Sequence, residues 1–269
     1  MTARDLDSST LTMRTGPSVH ISLLGGFDLT VNDAPVAAPV GSKRLLAFVA
    51  LNFRTSAPRS LIAGNFWPEV PEHCAYTNLR AALSRLGSTG RKALDVSPTE
   101  VRLARNVTVD LYRARSLAQR LLTPHVPAEA LHVTASTVDE LSADLLPGWY
   151  DEWALQEGEN WRQLRLHALE ALTNAFIDTK EFAGAVSAAQ VAVQADPLRE
   201  SSQASLIRAY LAEGNASKAV HHFERYAQRL GDELGLCPTK RLHQLVAGVR
   251  RTRSANGSPR RQAVHDRLV

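Results

Sequence analysis

Residues 71–87 read Pro71-Glu72-His73-Cys74-Ala75-Tyr76-Thr77-Asn78-Leu79-Arg80-Ala81-Ala82-Leu83-Ser84-Arg85-Leu86-Gly87, and this stretch decides the fold of the first half of the chain. A proline at the head and a glycine at the end bracket a helix over roughly Glu72–Leu86. Ala75, Leu79, Ala82, Leu83 and Leu86 recur at three- to four-residue spacing and define one apolar face. The opposite face carries His73, Thr77, Arg80, Ala81 and Ser84, with Arg85 at its edge. Small polar side chains set among arginines form a surface that can approach base edges and phosphates.

Immediately downstream, Ala93-Leu94-Asp95-Val96 and Glu100-Val101-Arg102-Leu103 flank Ser97-Pro98-Thr99, a hairpin pattern. Upstream, Ser42 is placed to cap a helix running to about Asn52, and Pro58 opens a short helix that Pro68 ends. A loop with Thr55-Ser56-Ala57 separates these two helices. Earlier still, His20–Leu24 and Phe27–Val31 have strand propensity around Gly25-Gly26. Asn32-Asp33 then makes a turn, and Pro35-Val36 begins a further strand. The order is a small antiparallel sheet, three helices and a hairpin. That order predicts a winged helix-turn-helix whose 72–86 helix enters a major groove and whose hairpin is the wing. Arg91, Lys92, Arg102 and Arg105 then fall near the phosphate backbone, and Lys43 and Arg44 complete the DNA-binding candidates.

Beyond Val109 the pattern is helical. Asp110 is placed to cap a helix through Leu122; Pro124 and Pro127 lie in a loop; a short helix covers about Val138–Leu145; and Pro147-Gly148 breaks the chain. A long helix follows over about Glu152–Asp178. Ala175-Phe176-Ile177 and Ala209-Tyr210-Leu211 are separated by 34 residues, as are Leu172 and Leu206, Ala185-Val186 and Ala219-Val220, and Gln194 and Gln228. That offset is the tetratricopeptide period, in which stacked helix pairs share one core. A last helix spans about Thr239–Arg251, and Ser254–Val269 reads as a disordered tail, like the leader Met1–Val19. The expected division is residues 20–108 for the winged helix and 109–253 for the helical domain.

The chain has 269 residues, 22% of them charged and 44% hydrophobic, which excludes wholesale disorder, collagen-like repetition and a coiled-coil rod. The net charge of +4 is unevenly placed. Residues 20–109 hold ten Lys/Arg against six Asp/Glu, residues 110–253 sixteen against eighteen, and residues 254–269 three against one. A basic binding module joined to a near-neutral interaction module fits that asymmetry. Cys74 and Cys237 stand alone without a zinc spacing and read as unpaired thiols in a reducing compartment. The longest apolar run, Leu45–Leu51, falls far short of the ~20 residues of a membrane span, and the leader lacks an apolar signal core. A cytoplasmic location is expected, with no membrane association.

Several strings together resemble the Streptomyces antibiotic regulatory protein family. In the first half they are Leu23-Leu24-Gly25-Gly26-Phe27, Gly41-Ser42-Lys43-Arg44-Leu45-Leu46, Phe66-Trp67-Pro68-Glu69 and Asn78–Leu86. In the second half they are Leu145–Tyr150, Asp196–Glu200, Ala212–Asn215 and Glu233–Leu236. The resemblance covers about residues 20–250. It implies a response-regulator-type winged helix followed by a bacterial transcriptional activation domain. It also implies promoter binding, commonly at direct repeats, and recruitment of RNA polymerase, often at secondary-metabolite genes. The family's DNA-reading helix maps onto Glu72–Leu86. Two departures from the family stand out: Asn65 replaces an apolar residue, which is expected to loosen packing against Trp67, and the reading helix is poor in basic residues, which is expected to make affinity modest. The short form of the family is expected, without a receiver domain or a nucleotide-binding loop.

Catalytic chemistry is not expected. No GxSxG, HExxH or GxGxxG motif occurs. His221-His222 are adjacent and diverge on a helix, and His73-Cys74 lack a third ligand, so no metal and no cofactor is expected. Trp149, Trp153 and Trp161 read either as core packing where the long helix meets the repeats or as an aromatic groove for a partner. The function expected is a sequence-specific activator acting on double-stranded promoter DNA, at least dimeric on DNA, with RNA polymerase subunits as partners. Two other readings stay open: a protein-interaction scaffold, or a ligand-responsive regulator whose helical domain is the main functional surface.

Overall fold

The structure is a computed structural model that describes residues 18–52, 56–124 and 133–256, with side chains described to residue 248. The leader to Pro17, Thr55, the Pro127 loop and the tail beyond Asn256 lie outside the described residues. An N-terminal strand-and-helix region of winged-helix type precedes an all-helical region, as the sequence predicts.

The chain divides into two compact units: Met1–Arg113 with Asp144–Gly158, and Ala114–Ala143 with Glu159–Val269. The first unit opens with β1 (Val19–Ser22), β2 (Asp28–Val31) and β3 (Ala34–Pro35). Val19 therefore belongs to a strand rather than to a leader. These three pair antiparallel, and β7 (Val107–Val109) joins β1 in parallel to give the order β3-β2-β1-β7. Asn32 and Asp33 turn β2 into β3 with positive φ of 49° and 62°, a conformation that these short polar side chains tolerate.

Three helices follow, α1 (Val40–Asn52), α2 (Arg59–Phe66) and α3 (Glu72–Ser84). Nearly all of α1 is apolar and buried, from Leu45 to Leu51. Ser42 does not cap it, because the helix starts two residues earlier. Its buried hydroxyl instead donates to the Ala82 carbonyl of α3 at 2.8 Å. A short turn of helix, α4 (Gly87–Gly90), separates α3 from the wing. The wing is a three-stranded sheet, β4-β6-β5, built from β4 (Ala57–Pro58), β5 (Leu94–Val96) and β6 (Glu100–Leu103).

Helix α5 (Asp110–Leu121) starts on Asp110, whose carboxylate accepts the Leu111 N–H at 2.7 Å. The same carboxylate accepts the Leu23 and Leu24 N–H groups beyond β1, so one residue ends a strand and starts a helix. The later segment Asp144–Gly158 returns to this unit. Leu24 bridges Leu145 and Leu146 N–H donates to Leu23 O.

The second unit comprises the rest of α5, α6 (Ala135–Ser142), most of α7 (Glu152–Asp178), α8 (Phe182–Ala195), α9 (Glu200–Ala212), α10 (Ala216–Leu234) and α11 (Lys240–Asn256). Helix α11 extends to Asn256, so residues 254–256 are helical rather than tail. Repeat positions Leu172, Ala175, Ala185, Leu206, Ala209 and Ala219 are all buried, as a shared helix-pair core requires. Ile207, Phe223, Tyr226, Leu230, Leu242 and Val246 close one end of that core.

Candidate nucleic-acid interface

Helix α3 buries Ala75, Leu79, Ala82 and Leu83. That fixes which face is outward: His73, Thr77, Arg80, Ser84 and Arg85 are exposed, and Ala81 is half-buried. Thr77 Oγ1 donates to the His73 carbonyl at 2.9 Å. With its hydrogen spent there, the same oxygen accepts from Arg80 Nη2 at 3.2 Å. The guanidinium is thereby drawn back along the helix while its remaining N–H groups stay outward.

Across from α3 stands the wing. Arg91 and Lys92 are exposed in the turn of 3-10 helix before β5, and Arg105 is exposed just after β6. Arg102 is exposed too, but it pairs with Asp95 on the facing strand at 3.0 Å, which neutralises its charge within the hairpin. Between α3 and the wing lies an open cleft of about 450 Å³ lined by Arg59, Arg80, Ser84, Ser88 and Arg91 with Leu83 and Val96 beneath. Three guanidiniums on one opening form an anion-attracting surface with the chemistry that suits a phosphate.

Sequence reasoning missed Arg59. Its backbone N–H donates to Thr99 O at 2.8 Å, and its Nη1 reaches Ser97 O at 3.3 Å. It therefore ties α2 to the wing tip while facing the cleft. The only local signal was its place after Pro58 at a helix start, which says nothing of the wing.

Lys43 and Arg44 are not brought to this cleft. Arg44 forms an ion pair with Asp151 and lies 5.3 Å from the centre of the Phe66 ring. Lys43 sits over Phe27. Both line a separate opening with Trp149 and Tyr150. Asn65 is exposed and its side chain donates to Leu61 O at 2.8 Å, so the expected loosening against Trp67 does not arise.

The tryptophans part company. Trp161 is 1% exposed and its indole N–H donates to Ala143 O at 3.0 Å, so it is a core residue and not a partner surface. Trp153 packs edge-on to Phe48 (5.3 Å) and stacked on Phe66 (6.2 Å). Trp149 is half-buried beside Phe27 and Trp153. Among the described residues no group of three metal-ligating side chains converges, and no helix is long and apolar enough to cross a membrane.

The family model of the bacterial transcriptional activator domain matches residues 109–250. Among solved structures, Mycobacterium tuberculosis EmbR in complex with low affinity phosphopeptide is similar in fold, with a TM-score of 0.55 and 22% sequence identity. The likeness covers 88% of this chain and 66% of that one, so this chain spans just under two thirds of that structure. No curated protein matches.

Proposed function

Because the chain belongs to the family of proteins that carry the bacterial transcriptional activator domain, we propose that it is a sequence-specific DNA-binding activator that acts on promoter DNA and recruits RNA polymerase subunits. The observation that carries this reading is the outward face of α3, exposed at His73, Thr77, Arg80 and Ser84 and flanked by Arg59 and Arg91 across a cleft. In this reading α3 enters the major groove, and Arg59, Arg91, Lys92 and Arg105 hold the phosphates on either side. Thr77 turns its methyl group toward a thymine methyl, since its hydroxyl is occupied within the helix. Arg80 swings from Thr77 onto a guanine edge. One such helix covers few base pairs, so two copies occupy a direct repeat, and residues 109–253 supply the protein contacts. Secondary-metabolite genes are the proposed targets, as the family resemblance implies.

The test is selection of binding sites from random DNA, followed by affinity measurements on the selected site. Arg80→Ala should weaken the selected site by about 1–3 kcal/mol and leave random DNA nearly untouched. Arg91→Ala should weaken both alike and lower the salt slope by about one. Failure to enrich any sequence, with salt-independent binding, would overturn the reading.

A further inference from the structure

A second opening of the first unit has a chemistry of its own. It is a cleft of about 500 Å³ lined by Val40, Lys43 and Arg44 of α1 and by Gly148, Trp149, Tyr150 and Asp151 before α7. Tyr150 (85% exposed) and Val40 (74%) are the two most exposed large apolar side chains among the described residues, and both flank this one opening. Apolar residues exposed singly need no explanation, but two of them around a half-buried tryptophan form a patch. Trp149 is held in place between the rings of Phe27 (6.1 Å) and Trp153 (6.1 Å), and its backbone N–H donates to Leu146 O at 3.1 Å.

Charge decides what fits. Arg44 and Asp151 neutralise one another. Lys43 has no ion-pair partner among the described residues, and its ammonium stands 6.0 Å from the Phe27 ring centre. The first turn of α1 carries no acidic side chain. The floor is therefore aromatic and the one uncompensated charge is positive. The opening is shallow and wide to solvent, unlike the enclosing pockets that bury most of a small molecule. We propose that this cleft docks an acidic peptide segment of a protein partner, with an apolar side chain against Trp149 and Tyr150 and a carboxylate on Lys43. Rigid aromatic anchors beside a complementary charge are the usual makeup of a binding hot spot. The inference stands apart from DNA binding, since none of these residues lies on the α3–wing cleft.

The experiment uses the full chain and two short fluorescein-labelled peptides with the same Leu and Phe residues. One carries Asp and Glu between them, the other Lys. Anisotropy should show saturable binding of the acidic peptide that tightens at low salt, and no binding of the basic one. Tyr150→Ala should weaken it about tenfold or more, and Lys43→Glu should abolish it and admit the basic peptide. Binding of the selected promoter site should be unchanged by both substitutions. Four outcomes overturn the proposal: no saturable binding; equal binding of both peptides; loss of DNA affinity with Lys43→Glu, which would return the cleft to the nucleic-acid surface; or a change of oligomeric state with Tyr150→Ala and no peptide binding, which would make the patch a seam between copies.

Discussion

His222 shows how much one buried side chain constrains. It lies in α10, 8% exposed, with Nε2 2.6 Å from Gln203 Oε1. Gln203 Nε2 donates to Pro197 O at 2.6 Å, which orients the amide so that its oxygen faces the ring. The ring must therefore carry its proton on Nε2, and Nδ1 faces the Arg225 guanidinium at 3.4 Å. Burial, then the charges of Arg225 and His221, hold its pKa at about 4, below the usual 6.5. The sign follows: between those values the unfolded chain binds a proton that the folded one refuses. Stability from this group is thus present above about pH 6.5 and drains as pH falls toward 4, by at most about 3 kcal/mol. Urea midpoints measured from pH 7 to pH 4 should fall accordingly, and His222→Gln should flatten the slope over that window. An unchanged slope would refute the assignment. The neighbouring Asp196–Glu200 string is likewise spent inside the fold. Asp196 accepts from Arg162 (2.8 Å), Leu198 O accepts from Tyr226 (3.2 Å), Arg199 donates to Glu170 (3.0 Å), and Glu200 takes the Thr239 N–H (2.9 Å). It is a junction of α7, α9, α10 and the start of α11. On the same helix, hydrogen bonds from Arg162 and Gln163 hold the Glu159 carboxyl down to about 2.

At the scale of elements, the 34-residue offset extends to single hydrogen bonds. Glu181 N–H donates to Phe176 O at 2.8 Å, and Asn215 N–H to Tyr210 O at 2.8 Å; Lys180 N–H meets Ile177 O and Gly214 N–H meets Leu211 O, both at 3.1 Å. Both turns are the same helix-ending motif with one left-handed residue. The second repeat uses glycine there, Gly214 at φ 86°, but the first repeat uses Lys180 at φ 63°. Lys180→Gly should therefore stabilise by up to about 1 kcal/mol, the relief of the left-handed strain less the freedom glycine adds to the unfolded chain. A thermal melt that shifts downward would contradict this. In the same turn-and-helix, a Cβ on Gly184 would stand 3.0 Å from the Phe176 ring, which is itself buried. Gly184→Ala should cost about 1–3 kcal/mol, because the α7–α8 approach must open to admit a methyl. These elements were legible because their signals are local: apolar period, prolines and the offset itself. The outward face of α3 was legible for the same reason, since helix geometry assigns a face once the apolar stripe is known. What escaped was carried by distance along the chain. Strand β7 is three residues, Val107–Val109, recruited by β1 almost ninety positions earlier. Arg59 matters through a wing that returns to it, and Arg44 through Asp151.

For the molecule as a whole, the matched family region and the compact units do not share a boundary. The match begins at residue 109, yet Asp144–Gly158 belongs to the first unit. The reason is physical. Phe48 and Phe66 meet edge-on at 5.1 Å, and Trp153 covers both. Asp144 O accepts the Gly25 N–H at 2.8 Å, and Asp151 neutralises Arg44. A winged helix ended at Arg113 would lose this cover and leave aromatic rings and a cation exposed. Trp153 is half-buried, so its loss costs a fraction of the about 3–5 kcal/mol of a fully buried aromatic, still a sizeable share of the about 5–15 kcal/mol that holds a domain together. A fragment ended at Arg113 should therefore bind a hydrophobic dye and melt several degrees lower than one ended at Gly158. Trp153→Ala in the full chain separates packing from chain length, because it removes the cover without shortening anything. Equal melting of the two fragments, with no effect of Trp153→Ala, would mean that the N-terminal unit closes its core unaided. If instead both changes destabilise, any assay of DNA binding must keep residues 144–158, since weak binding by the shorter fragment would report an opened core and not a missing activation surface.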